Sequence, residues 1–420
     1  MLDGSNEMSY SKKMLDFISK GEFIDAQMVL EDVIAHDLPE EKLQLADNLF
    51  QLGFLEESEQ LFEHLLEVFP SEEGLKISLA EIAIENNDIE KATELLTSIP
   101  ESSDVYVQSL LTQADLYQIL EIPEVSEQKL KQAQKLLPNE PIIQVALAEF
   151  YFSMEDYQEA VELYQTVLKE NPTLDIGISF YERIGVALSR IAEFEEAIQY
   201  LEEALREEET VERLFQLALC YYQLGENERA IELLRQVVSI NEDFQQVYYP
   251  LGQILFDEGM DEEALNYLEI GIEKNPYEVS LYHLASECAY RLYKKETAIH
   301  YLRQAIALEE DSDFSKLRLV DLLRNEEDFD EALSLLSTLE NPNLSEAQWY
   351  AARLYNDLEE FGQAAVAYEK AAPELLEDAE FLKEYGMFLR EEGKIDQSTQ
   401  LLQAYLKQVP DDMEISDLID

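Results

Sequence analysis

Four carboxylates recur 34 residues apart, at Asp47, Glu81, Asp115 and Glu149. Four residues before each stand Leu43, Ile77, Leu111 and Val145; three residues after stand Phe50, Ile84, Gln118 and Phe152. Steps of three and four bring all three rows onto one face of a helix. An acidic line between apolar shoulders is suited to a basic amphipathic segment. The competing reading is that the apolar rows pack inward and the acids are merely solvated. Acid runs arise easily in a chain with 91 Asp and Glu residues, so both readings stay open.

The second half carries a different chemistry. The first of twelve arginines is Arg183. Arg183, Arg190, Arg291, Arg318, Arg324, Arg353 and Arg390 fall on the face that corresponds to the acidic row, near Phe215, Tyr222, Tyr249, Phe256, His283 and Tyr290. Arginine and aromatic side chains are the usual anchors of interfaces, so this set reads as a cleft for a partner carrying carboxylates. The alternative is that the arginines pair with acids of neighbouring helices, such as Glu287 or Asp321.

Catalytic chemistry finds no constellation. His36, His64, His283 and His300 have no metal-ligand spacing with Cys220 or Cys288. No Gly-rich phosphate loop and no nucleophile elbow is present. A carboxylate pair on a solvated helix face has no reason to acquire the shifted pKa of a general acid. The expectation is a non-enzyme with no cofactor and no metal.

The rows are positioned by a repeat. In its second helix a compact residue recurs at Ala26, Ser58, Ala92, Ser126, Ala160, Ala197, Ala230, Ala264, Ala298, Ala332, Ala364 and Ser398, in steps of 32 to 37. Two helix backbones approach closely at such a site, and a larger side chain would overpack it by about 1–3 kcal/mol. The first helix has its own small site at Ala46, Ala80, Ala114, Ala148, Gly185, Ala218, Gly252, Ser286, Ala352 and Gly386, with Met14 and Val320 as exceptions. Twelve helical hairpins follow, and apolar periodicity gives no strand.

The stretch Gln144–Pro172 shows one unit whole: Leu147, Ala148 and Tyr151 on the first helix, Ala160 and Tyr164 on the second, and Pro172 at the close. It resembles the tetratricopeptide (TPR) repeat, with Gln144 in place of Trp, Ala148 in place of Gly and Tyr164 in place of Phe. The resemblance implies an all-α, right-handed superhelical solenoid of about twelve repeats, with first helices lining a concave surface that binds peptides or helical segments. One TPR subclass grips chaperone carboxyl termini with paired Lys and Asn; the corresponding positions here hold Val145 and Glu149, or Phe215 and Leu219. The acidic, all-repeat character also resembles the YpiA-type TPR proteins of low-GC Gram-positive bacteria.

The step of 37 at Pro172–Gly177 marks the expected division, with repeats one to five in residues 1–176 and repeats six to twelve in 177–420. Residues 1–5 are expected to be frayed, and the acidic tail 411–420 to cap the last repeat. A net charge of −61 opposes binding to nucleic acid and to anionic membranes. The amino terminus lacks a signal-peptide pattern, and no apolar run reaches the ~20 residues of a membrane span. The expectation is a cytoplasmic protein-interaction scaffold. Its alternatives are a regulator whose superhelix changes on peptide binding and a nucleic-acid-binding helical repeat, the latter disfavoured by charge. The partner's identity and the oligomeric state are not encoded in these patterns.

Overall fold

The computed structural model describes residues 8–308 and 312–419, so the frayed start expected over residues 1–5 lies outside it. Among the described residues there are twenty-five α-helices, one 3-10 helix and no strand. The described fold is all-α, and its α-helices pair in chain order into twelve helical hairpins, with one further helix after the last. Every compact residue of the second-helix series is at most 3% exposed, so each does sit where two backbones meet. Met14 and Val320, the two exceptions in the first helices, are buried as well.

Each hairpin turn is closed by one residue in the left-handed region. Gly21, Gly53, Gly225, Gly259 and Gly393 serve in five turns, but Asn87, Glu121, Glu155, Ala192, Tyr293, Glu327 and Glu359 hold the same conformation without being glycine. The following N–H then reaches back to the first helix, as Phe54 N–H does to the Leu49 carbonyl at 2.8 Å. This bond satisfies a carbonyl that the helix end would leave orphaned.

Two compact units divide the chain, Met1–Ala204 and Leu205–Asp420. In the first, the three extra residues after Pro172 form a loop in which Gly177 adopts φ 79° and donates to Asp175 at 3.2 Å. Ser179 then caps the helix Phe180–Arg190 by accepting from the Glu182 N–H. That helix packs directly on Tyr157–Glu170, so the expected boundary at 176/177 lies inside the first unit. In the second unit the tail does form a cap. The helix Met413–Ile419 buries Ile415 against Leu382, Leu402 and Tyr405, and Arg390 donates to the Leu418 carbonyl at 2.7 Å.

Candidate functional site

The first helices of repeats two to five are Pro39–Gln51, Gly74–Glu85, Tyr106–Ile119 and Pro141–Ser153. Pro39 and Pro141 open two of them at the position where a missing N–H costs nothing. Each helix presents one acid of the row with its flanking side chains, which together make one rung. Ile77 and Val145 are buried between helices, Leu111 is half-buried and Leu43 is exposed. Phe50, Ile84, Gln118 and Phe152 are all half-buried. The apolar shoulder after the acids is therefore open, whereas the one before them is partly consumed by packing.

The acids differ sharply from one another. Glu149 is fully engaged: Arg183 donates through Nε at 2.9 Å and Nη2 at 3.1 Å, and Tyr164 donates its hydroxyl at 2.5 Å. Burial and that bond raise the Tyr164 pKa. Asp47, Glu81 and Asp115 have no ion pair among the described residues, and desolvation raises the pKa of all three. For Glu81 the charges of Asp115 and Asp47 raise it further, so the three form one mutually repelling line. Asp47 and Asp115 keep exposed surface, so both stay within reach of a charge from solvent.

In the second unit the arginines are bonded within the array. Arg291 donates to Asp261 at 2.9 Å and to the Phe256 carbonyl at 2.8 Å, and its guanidinium lies 3.7 Å from the Phe256 ring centre. Arg318 pairs with Glu287, and Arg324 with Asp357 and Asp321. Arg353 donates to Glu384 at 2.8 and 2.6 Å and to Glu380 at 2.6 Å, stacked over Trp349. Arg190, in the first unit, stands exposed. Among the aromatic candidates, Phe215 is buried against Phe244 and Tyr222 donates to Asp257 at 3.0 Å. Tyr290 is half-buried beside Glu326, and Tyr249 is the most open at 39% exposed. His283, Glu287, Tyr290, Arg318, Asp321 and Tyr350 line a cleft of about 270 Å³, in which Arg318 pairs with Glu287 while Asp321 pairs with Arg324 outside it.

Two contributions escaped the sequence reading. Tyr164 was legible only as core, yet its hydroxyl serves Glu149. Trp349 and Glu384 complete the Arg353 site, with the indole N–H donating to Glu384 at 2.7 Å. Among the described residues, no group of three or more His, Cys, Asp or Glu side chains could hold a metal ion, and no helix is long and apolar enough to cross a membrane. Burial pushes the Cys220 thiol up to about 11 and Cys288 up to about 12, so neither is a thiolate near neutral pH.

Comparison with known proteins gives four family models. "YpiA-like, tetratricopeptide repeats" matches residues 118–172 and "YpiA-like, C-terminal tetratricopeptide repeats" matches 346–412. "Anaphase-promoting complex, cyclosome, subunit 3" matches 191–270, and "Tetratricopeptide repeat protein 21 ARM repeat" matches 26–120. The TPR repeat-containing protein YpiA of Bacillus subtilis is 33% identical over 377 residues, which is 89% of this chain and 88% of that one. Among solved structures, a chain of the APC/C hetero-tetramer Cut9–Hcn1 aligns over 98% of this chain and 95% of its own at 13% identity, with a TM-score of 0.42. YrrB, described as a TPR protein with an unusual peptide-binding site, covers 43% of this chain and 93% of its own at 22% identity, with a TM-score of 0.37.

Proposed function

The chain belongs to the YpiA-like family of tetratricopeptide repeat proteins, and from that premise we propose that it is a non-catalytic, cytoplasmic scaffold whose acidic row binds a basic amphipathic segment of a partner protein. One observation carries this reading. In a chain where Glu149, Glu287, Asp321 and Glu384 all have cationic partners, Asp47, Glu81 and Asp115 stand desolvated, adjacent and without one. Like charges held close together repel, and a cation supplied from outside relieves that repulsion. The open shoulder of Phe50 and Ile84 offers apolar area beside the charges, which is what an amphipathic partner can cover.

The match to YrrB supports the general mode, since that protein is described as peptide-binding, while a fold of this kind does not itself select a ligand. The arginine–aromatic face of the second unit is a subsidiary contact in this proposal, reached when a partner's carboxylates exchange with its internal pairs. The test is charge reversal. Glu81→Lys with Asp115→Lys is expected to abolish recovery of the physiological partner in affinity purification from the host, with helical content unchanged. Undiminished recovery by the folded variant would remove the acidic row from the account.

A further inference from the structure

The first unit contains a filled copy of what its earlier rungs leave open. At the fourth rung the carboxylate of Glu149 takes two N–H bonds from Arg183, and the same guanidinium lies 5.1 Å from the centre of the Phe152 ring. Phe152 follows Glu149 by three residues on one helix, so acid and ring form a fixed receiving pair. Arg183 comes from the next first helix, Phe180–Arg190, two residues before the small site Gly185. The second unit repeats the ion pair but not the ring contact, its guanidinium lying 5.2 Å from Phe314 on the arginine's own helix. Glu287 receives Arg318, which stands two residues before Val320, the equivalent of Gly185.

The first rung has the receiving pair and lacks the cation. Asp47 is followed three residues later by Phe50 on Pro39–Gln51, and the ring is half-buried as Phe152 is. Two residues before the small site of the next helix stands Ser78, where Arg183 would be. Thr112 and Ala146 occupy that place for the second and third rungs, again too short to reach and uncharged. The hydroxyl that Tyr164 gives Glu149 is missing too, because the equivalent residue beside Asp47 is Phe62. Only the first rung joins an open carboxylate to an aromatic ring, since Ile84 and Gln118 hold that place beside Glu81 and Asp115.

From this we infer that the Asp47–Phe50 rung receives an arginine side chain of the partner segment, seated as Arg183 is seated on Glu149 and Phe152. The inference rests on the acidic row being the binding face. A guanidinium is selected over an ammonium because it gives two parallel N–H bonds to a carboxylate while laying a flat face near a ring. An ammonium is a point charge that is more strongly hydrated and cannot do both at once. Ring contact with a cation at an exposed site is worth about 0.5–1 kcal/mol, which is about a two- to fivefold change in affinity.

The experiment uses the full chain with two probes, amidated hexa-arginine and hexa-lysine, titrated at physiological salt. The parent is expected to prefer hexa-arginine, and Phe50→Leu is expected to reduce that preference about two- to fivefold with hexa-lysine affinity unchanged. Ser78→Arg is expected to plug the rung from within and weaken hexa-arginine selectively. An arginine preference that survives Phe50→Leu overturns the inference. Should Ser78→Arg fail to fold, Phe50→Leu decides alone. If hexa-lysine and hexa-arginine both ignore Glu81→Lys with Asp115→Lys, the binding face itself is wrong. If both respond to that reversal yet Phe50→Leu leaves their ratio intact, only the arginine assignment falls.

Discussion

One substitution, made on two rungs of the same row, should change stability in opposite directions. Glu81 faces Asp47 and Asp115 across rungs, and helices in contact stand about 8–10 Å apart. At that distance two charges repel by about 0.1–0.8 kcal/mol once an effective dielectric of about 20–80 and physiological screening are applied. With two neighbours, Glu81→Gln should stabilise the chain at pH 7 by about 0.2–1.6 kcal/mol, before any relief of desolvation is added. The sign follows from the raised pKa of Glu81. Its folded form holds a proton more tightly than the unfolded chain does, so ionisation weakens the fold. The penalty is therefore absent below the ordinary glutamate range. It develops as pH rises from that range through the raised folded value, and it is complete at neutrality. The gain from Glu81→Gln should accordingly vanish at about pH 4 and below.

Glu149→Gln must do the reverse at pH 7, because it discards the Arg183 pair and alters the acceptor of the Tyr164 hydroxyl. That pair is partly solvent-screened, so a loss of about 1 kcal/mol is expected. Urea unfolding followed by helical circular dichroism at both pH values measures the two shifts. Hydrogen exchange within Gly74–Glu85 and Pro141–Ser153 locates them, which matters because repeat arrays need not unfold as one unit. Destabilisation by Glu81→Gln at pH 7, or a gain that persists unchanged at pH 4, would show that ionised Glu81 carries no like-charge penalty in the folded chain.

Three further outcomes follow from the packing. Ile415→Ala should cost about 2–4 kcal/mol locally, read as faster hydrogen exchange in Ile395–Gln408, because Ile415 is the buried side chain that seats the tail helix on Leu382 and Leu402. Gly252→Ala places a Cβ 2.6 Å from Cδ2 and 2.7 Å from Cγ of fully buried Leu268, so it should lower stability by about 1–3 kcal/mol, and Leu268→Ala in the same chain should reduce that specific clash. Cys220 and Cys288 should resist iodoacetamide in the native chain at pH 8 and react fully in urea, as mass spectrometry would show; rapid native alkylation would contradict their burial and raised pKa values.

Most of the fold was legible because its determinant is steric and periodic. A compact residue every thirty-odd positions marks where two helices touch, and all twelve of the second-helix series are at most 3% exposed. The turns were less legible. Tyr293 and Ala192 hold a left-handed conformation that glycine would announce, and nothing in their type signals it. At the site, the acidic row was visible from its spacing, but which acids have partners was not. Arg183 lies 34 residues after Glu149 and by counting alone continues the row. The three extra residues of the preceding loop instead put it nearly one turn earlier on its helix, where it meets Glu149. Likewise an arginine on the inward face satisfies two descriptions, an open anchor and an internal pair. The distances for Arg318 and Arg353, not their spacing, separate them.

The proposed receiving surface for a cationic segment is the line of three unpartnered carboxylates, Asp47, Glu81 and Asp115. Hydrogen exchange of the full chain with and without an arginine-containing amphipathic peptide at saturating concentration tests it most directly. Protection is expected to concentrate on Pro39–Gln51, Gly74–Glu85 and Tyr106–Ile119, and to disappear in the Glu81→Lys, Asp115→Lys variant. Protection confined to the second helices or to Leu205–Asp420, or unaltered by the charge reversal, would contradict the account.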